Sequence, residues 1–220
     1  MSTATPSAPR TERSAATREA IMTAAERLFA EHGLSSVSLR QIADAAGQRN
    51  VTAVGYHFGT KTDLVHALMA RHSEPVDALR NRYVAEAEGT GDLRMWVRAL
   101  VRPATDHLRA QGVPSWNARL TAQVMTDPQL RALVTTEALG RPSLRRILDG
   151  IGPLLRDQPA AVRAVRGDMA CLLIIHTCAD RERALAEQAP SLHGSWDEMG
   201  DALTDALLGL FTAPSTAPRA

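Results

Sequence analysis

Between Arg49 and Lys61 the chain reads RNVTAVGYHFGTK, which places Tyr56, His57 and Lys61 within six residues of one another. A phenol, an imidazole and an ammonium can each move a proton, so acid/base catalysis is the first chemistry to weigh. It fails on geometry, because neighbours on a helix point in different directions and no third group stands at a spacing that would orient a base. On a helical wheel centred on Val54, Val51 and Phe58 fall to one side, and Thr52, Ala53 and Tyr56 lie roughly opposite. The first set reads as core and the second as a displayed face.

Short helices must position that face. SLRQIADAAG offers a capping box from Ser38 to Gln41, turns Leu39, Ile42, Ala43 and Ala46 inward, and stops at Gly47. Its two turns are too few to stand alone. The next helix, expected from about Asn50 to Phe58, completes a helix-turn-helix whose second member presents its first turn and outer side to a DNA major groove. Tyr56 and His57 are then contact residues, and Lys61 is expected to meet a phosphate. Upstream, TREAIMTAAERLFAEHG carries Ile21, Ala24, Ala25, Leu28 and Phe29 on one helical face, with Thr17 as the expected N-cap and Gly33 as the closing residue. Downstream, Thr60 and Asp63 open a long fourth helix with Leu64, Val65, Leu68 and Met69 on its apolar side.

Helical periodicity continues to the end of the chain, so the fold class is all-α. After a break at Gly89-Thr90-Gly91-Asp92, helices are expected over about 91–111, 114–125, 127–155 with an interruption near Gly140-Arg141-Pro142, 159–188, and 195–212, the last opened by Ser195 with Glu198. The expected organisation is a tail over 1–16, a helix-turn-helix domain over 17–60, a helical regulatory and dimerisation domain over 61–213, and a second tail over 214–220. A hydrophobic fraction of 45% over 220 residues suits a soluble globular protein. The net charge of +1 selects no partner by itself; seven basic against five acidic residues up to position 61 are a weak basic bias. No apolar run is long enough to span a bilayer, and no secretory signal is visible, so a cytoplasmic location and no membrane partner are expected. Cys171 and Cys178 are read as reduced and buried.

The first helix, the SLRQIADAAG segment and the ending YHFGTKTDL together resemble the DNA-binding head of the tetracycline-repressor (TetR) family of bacterial transcriptional regulators, over about residues 17 to 64. Two departures stand out: QRNVTAVGYHF holds one residue more in the turn than the family commonly has, and Gly55 occupies a position where many members carry an aromatic residue. The resemblance implies a base-edge or phosphate role for Arg40, hydrogen bonds from Arg49, Asn50 and Thr52, apolar contact from Ala53 and Tyr56, and phosphate contacts from His57 and Lys61. The implied partner is a double-stranded DNA operator, bound by a homodimer whose paired heads reach successive major grooves of a palindrome.

The family's dimer interface is a four-helix arrangement of the last two long helices. It implies Leu172, Ile175, Leu203, Leu207, Leu208 and Phe211 at the interface here, with charged Arg181, Glu182, Arg183 and Glu187 as its rim. The other helices of that domain are implied to enclose a pocket for a small-molecule effector that releases DNA. Met95, Trp96, His107, Trp116, Met125, His176 and Cys178 are the candidates for its lining, and they suit a mainly apolar ligand with one or two polar anchors. No cofactor is implied, and no metal: Cys171, His176 and Cys178 cannot close a tetrahedral site from one helix. Alternatives are an activator or a constitutive DNA-binding protein and, from another class, an all-α enzyme acting on a small apolar substrate. For the enzyme, His107, His176 and Asp180 announce no convergent constellation.

Overall fold

The structure is a computed structural model that describes residues 10–48, 50–192 and 194–215, with the side chains of Arg10 and Thr11 excepted. Among these residues there are ten helices and no strand. They divide into two compact units, Met1–Leu68 and Met69–Ala220.

The first unit contains α1 (Arg10–His32), α2 (Leu39–Ala45), α3 (Thr52–Phe58) and the first turns of α4 (Lys61–Ala87). Ile21, Phe29, Ile42, Val54, Leu64 and Leu68 are fully buried. Each such side chain contributes about 1.5 to 3 kcal/mol relative to exposure, which is what holds helices this short. Two of the anticipated N-caps form: Ser38 and Gln41 exchange the two bonds of a capping box, and the Asp63 carboxylate accepts from the Thr60 amide at 2.9 Å and hydroxyl at 2.6 Å. Gly33 closes α1 at φ +85° and Gly47 forms the turn at φ +68°, where a β-carbon would be strained.

Three local expectations are corrected. The first helix begins at Arg10, well ahead of Thr17, so its N-terminal part reaches into the segment read as a tail. RTERSAATRE has no breaker, and its alanines and charged residues propagate a helix that already has a buried second half. Val51 is 40% exposed and precedes α3 as its N-cap, where the Asn50 Oδ1 accepts from the Thr52 amide at 2.9 Å. Lys61 to Leu68 belong to the first unit, because Leu64, Val65 and Leu68 are buried there.

The second unit holds the rest of α4 with α5 (Leu93–Gln111), α6 (Asn117–Thr126), α7 (Pro128–Gly140), α8 (Pro142–Leu154), α9 (Ala160–Glu187) and α10 (Trp196–Thr212). The break expected at Gly140-Arg141-Pro142 separates α7 from α8, with Pro142 at the first helical position where its missing N–H does no harm. α10 packs on α5, α6 on α9, and α8 on α5. A β-carbon on Gly200 would stand 3.0 Å from Thr105 Oγ1, so the α5–α10 approach depends on that glycine.

Polar side chains fix α10 at both ends. Asp197 accepts from Arg102 Nη2 and Arg109 Nη1, each at 2.7 Å. At the other end the buried Arg166 donates to the carbonyls of Phe211 at 3.0 Å and Ala213 at 2.6 Å. These pairs hold one face of α10 against its own protomer, and the residues expected at an interface divide accordingly. Leu203, Leu207 and Phe211 lie in the core of the unit, with Leu207 at 0% exposure. Of the expected interface residues, Leu172, Ile175 and Leu208 are half-buried. Among the expected rim residues, Arg181 and Glu182 are buried inside the protomer.

Candidate functional site

The loop between α1 and α2 is held from beneath by Lys61. Its Nζ donates to the carbonyls of Leu34 and Val37, the latter at 2.6 Å, and sits 5.5 Å above the Phe29 ring. Burial pushes this ammonium below the usual lysine value. The Nζ expected to meet a phosphate is engaged within the protein, as a clamp between the start of α4 and the loop that leads into α2. Arg18 has a comparable structural task, covering the Phe58 ring at 4.9 Å and reaching Met22 Sδ at 3.3 Å.

With Val54 and Phe58 buried, α3 must turn its other side outward. Tyr56 is 83% exposed, Thr52 and Asn50 are exposed, Ala53 and His57 are half-buried, and Arg40 is exposed on α2. The Tyr56 and His57 rings meet edge to face at 5.2 Å. A tyrosine this exposed gains nothing from the fold, whereas it offers a large flat surface to a groove. Arg49, also expected at this face, lies outside the described residues.

Gly55 is exposed, and nothing lies within 4 Å of the position its β-carbon would take. The fold therefore has no need of glycine there, although it costs a helix roughly 0.5 to 1 kcal/mol relative to alanine. Gly55→Ala is expected to raise the melting temperature of the protein and to lower its affinity for DNA, because the DNA backbone is then the remaining reason for a bare Cα. Thermal unfolding and a DNA titration of the same variant check both halves; unchanged DNA binding would remove that reason.

The second unit holds a partly open cavity of about 250 Å³. One wall is a single face of α4, formed by Met69, His72, Ser73, Val76 and Arg80, and α5, α6, α9 and the α7–α8 junction supply the rest. Of the seven side chains expected to line a pocket, only His107 and Cys178 do so. The others are placed elsewhere, each for a packing reason. Trp96 is core and lies so close over Gly150 that a β-carbon there would fall 2.3 Å from Cε2. Met125 is buried outside the lining, Met95 packs against the core, Trp116 precedes α6 as its N-cap, and His176 faces outward.

Ile175, expected at an interface, lines the cavity instead. The wall residues missed by sequence reasoning, His72 and Arg80 above all, lie at i+3 and i+11 from Met69. Extending the apolar face of the fourth helix past Met69 would have found them. His72 Nδ1 lies 3.0 Å from His107 Nε2 and 3.0 Å from Gln111 Nε2.

Cys171 is exposed, against expectation, and Cys178 is buried. Burial, helped by Glu182, pushes the Cys178 thiol up to about 12, which keeps it protonated and a poor nucleophile or ligand. Among the described residues no three His, Cys, Asp or Glu side chains come together as metal ligands, and no helix is long and apolar enough to cross a membrane.

Comparison with known proteins agrees with this geometry. Residues 21–68 match the family model described as bacterial regulatory proteins, tetR family; no curated protein matches the chain. Among solved structures the chain resembles AmtR of Mycobacterium smegmatis at 22% identity, covering 90% of this chain and 87% of that one with a TM-score of 0.57. It also resembles SmeT, the repressor of the Stenotrophomonas maltophilia multidrug efflux pump SmeDEF, at 18% identity over 92% and 96% of the two chains and a TM-score of 0.57. NalD, the secondary repressor of the MexAB-OprM multidrug efflux pump in Pseudomonas aeruginosa, is similar at 23% identity over 90% and 96%, TM-score 0.55. The helix-turn-helix segment therefore matches the tetR family model over residues 21–68, and the fold over most of the chain is the one these solved regulators share.

Proposed function

We propose that this protein is a transcriptional regulator of the TetR family: a homodimeric, ligand-responsive repressor that binds a palindromic operator and leaves it when a small, mainly apolar molecule occupies the cavity. The observation that carries the reading is α4 itself. One helix runs from the unit with the exposed α3 face into the unit where five of its side chains wall the cavity. An effector that changes the preferred course of α4 acts on both units at once, and it needs only about 1 to 3 kcal/mol of differential affinity between DNA-competent and DNA-incompetent states. Pro75 lies within the wall stretch of α4; it lacks an N–H for the carbonyl one turn back, so the helix bends there at lower cost. SmeT and NalD, both repressors by description, support repression over activation.

Dimerisation follows from the binding mode, since one head this small holds few phosphates and two heads about 34 to 36 Å apart engage successive major grooves. The surface that suits it is the outer stripe of α9. Val165, Met169 and Leu173 are 54%, 50% and 39% exposed at a four-residue spacing, flanked by half-buried Leu172. An apolar stripe of this length on a protomer surface calls for a partner.

The experiment is a selection of genomic fragments by the purified protein, followed by anisotropy titration of the enriched fragment with wild type, Arg40→Ala and Tyr56→Ala. Each substitution is expected to cost about 1 to 3 kcal/mol of specific binding and to leave the dimer intact. Equal affinity for all three proteins would remove α2 and α3 as the reading surface.

A further inference from the structure

We propose that the effector is an organic monoanion: a small carboxylate whose apolar body fills the cavity and whose head group is shared by Arg80 and Arg141. The proposal rests on the ligand-response reading above and names the chemistry of the molecule that the same cavity takes.

The first support is the charge of the wall. Two arginines and two histidines line the cavity and no acidic residue does. Among the described residues the carboxylate paired with the two arginines is Asp77, which accepts from Arg80 Nη1 at 3.2 Å and from the Ser143 hydroxyl. Among the described residues Arg141 forms no ion pair. Two guanidiniums thus face one carboxylate, and a positive charge is left over in a wall otherwise dominated by Met69, Val76, Leu108, Ile174 and Ile175. Burial is the main influence holding Arg80 below its ordinary value, and the charge of Arg141 adds to it while Asp77 opposes both. A bound anion supplies the missing counter-charge; a neutral ligand leaves the imbalance, and an amine worsens it.

Hydrogen-bonding capacity points the same way. Arg80 directs Nη1 at Asp77 and at Ser143 Oγ, the latter at 3.4 Å, but its buried Nε has no hydrogen-bond partner. A guanidinium presents its donors as a planar fork that matches the two oxygens of a carboxylate, so the donor capacity left on Arg80 is of the kind that head group uses. His72 and His107 are bonded to each other, which leaves the arginines as the anchors.

The two anchors also stand on different elements. Arg80 is on α4, whereas Arg141 is the single residue between α7 and α8. α7 has no buried residue, so the α7–α8 junction is a wall with little packing of its own to oppose a shift. A carboxylate bridging Arg80 and Arg141 ties α4 to that junction. The tie exists only when the ligand is bound, and such a differential contact is what a population shift requires.

The test uses the full-length protein and three matched series: hexanoate, octanoate and 4-phenylbutyrate, their primary amides and the corresponding amines, with inorganic phosphate as a headgroup-only control. Binding is read by calorimetry and by thermal shift. At least one acid is expected to bind tenfold or more tightly than its own amide and more tightly still than its amine, with phosphate much weaker. Arg141→Gln is expected to remove that preference, lowering affinity for the acid at least tenfold while leaving the amide unchanged. Arg80→Gln should do the same, and the Arg141 variant decides the matter if loss of the Asp77 partner prevents Arg80→Gln from folding.

Amides or amines that bind as tightly as the acids, no binding by any acid, phosphate equal to the acids, or an acid preference that survives Arg141→Gln would each overturn the proposal. DNA titration separates it from the reading beneath it. An acid that meets the binding criteria yet leaves DNA affinity unchanged upholds the anion site and contradicts ligand response, whereas release of DNA by an amide that binds as well as its acid does the reverse.

Discussion

Met169→Asp combined with Leu173→Asp is expected to yield a folded monomer that binds its DNA site at least about a hundredfold more weakly than wild type. Both side chains are half-exposed or nearly so in the protomer, so their loss removes little from its core, and surface changes of this kind stay within about 0.5 kcal/mol of neutral. Facing a second copy, the same two positions would bury unpaired carboxylates, which a dimer interface does not tolerate. The loss in DNA binding follows from the loss of the second head, since tethering two weak contacts multiplies affinity by about 10² to 10⁴. Light scattering and anisotropy on the same preparation check the two parts, and an unaltered dimer would exclude the α9 stripe as the interface. By contrast, Leu207 is fully buried within the protomer, so a charge placed there would unfold the chain before it tested any interface.

The second large effect is expected at Glu182. This carboxylate is 1% exposed and accepts from the amides of Ala118 at 3.2 Å and Arg119 at 2.9 Å, and from Arg119 Nε at 3.2 Å. It thereby satisfies two of the donors that the first turn of α6 leaves open and pairs a guanidinium that is itself mostly buried. Glu182→Ala strands all of these groups and is expected to cost about 3 to 5 kcal/mol, a fall in melting temperature of roughly 10 °C for a protein of this size. Because α6 contributes Asn117, Ala118 and Thr121 to the cavity wall, the variant should also lose effector binding. Asp180→Ala, which breaks only an exposed pair with Arg183 at 2.9 Å, is the control and should cost less than about 1 kcal/mol. Similar melting temperatures for the two variants would contradict the role given to Glu182.

The helices and the head were legible in the sequence because their signals are local. Capping boxes at Ser38 and Ser195, the closing glycine at 33 and the Gly-Arg-Pro interruption at 140–142 depend on residues within one or two turns, and each forms as its spacing predicts. The exposed face of α3 was legible for the same reason, since burial of Val54 and Phe58 decides where Tyr56 points. What periodicity does not encode is which of several apolar faces meets which neighbour. GDMACLLIIHTCA reads as apolar all round, but in the protomer it divides into a core side with Ala170, Ile174 and Cys178 and an outer stripe with Met169 and Leu173.

The resemblance implies Leu203, Leu207 and Phe211 at an interface, whereas long-range pairs that helix sequence does not show, Arg102 with Asp197 and Arg166 with the last carbonyls, hold that face of α10 inside the protomer. Residue type misled as well. Tryptophan and methionine stand out as pocket candidates, whereas of these types the wall takes Met69 alone, beside branched aliphatic, arginine and histidine side chains. Lys61 shows the same limit: a lysine at a helix start beside a reading face resembles a phosphate contact until its two carbonyl partners from the α1–α2 loop are seen.

Sequence-specific DNA recognition through the α2–α3 face is the claim on which the rest depends. Its most direct test is fluorescence-anisotropy titration of the purified protein against the DNA immediately upstream of its own coding sequence, beside a scrambled duplex, at two salt concentrations. The predicted result is tight binding to the upstream duplex alone, weakened by salt, and reduced in Tyr56→Ala. Equal, weak binding to both duplexes that Tyr56→Ala leaves unchanged, together with failure of the genomic selection to enrich any fragment, would contradict it.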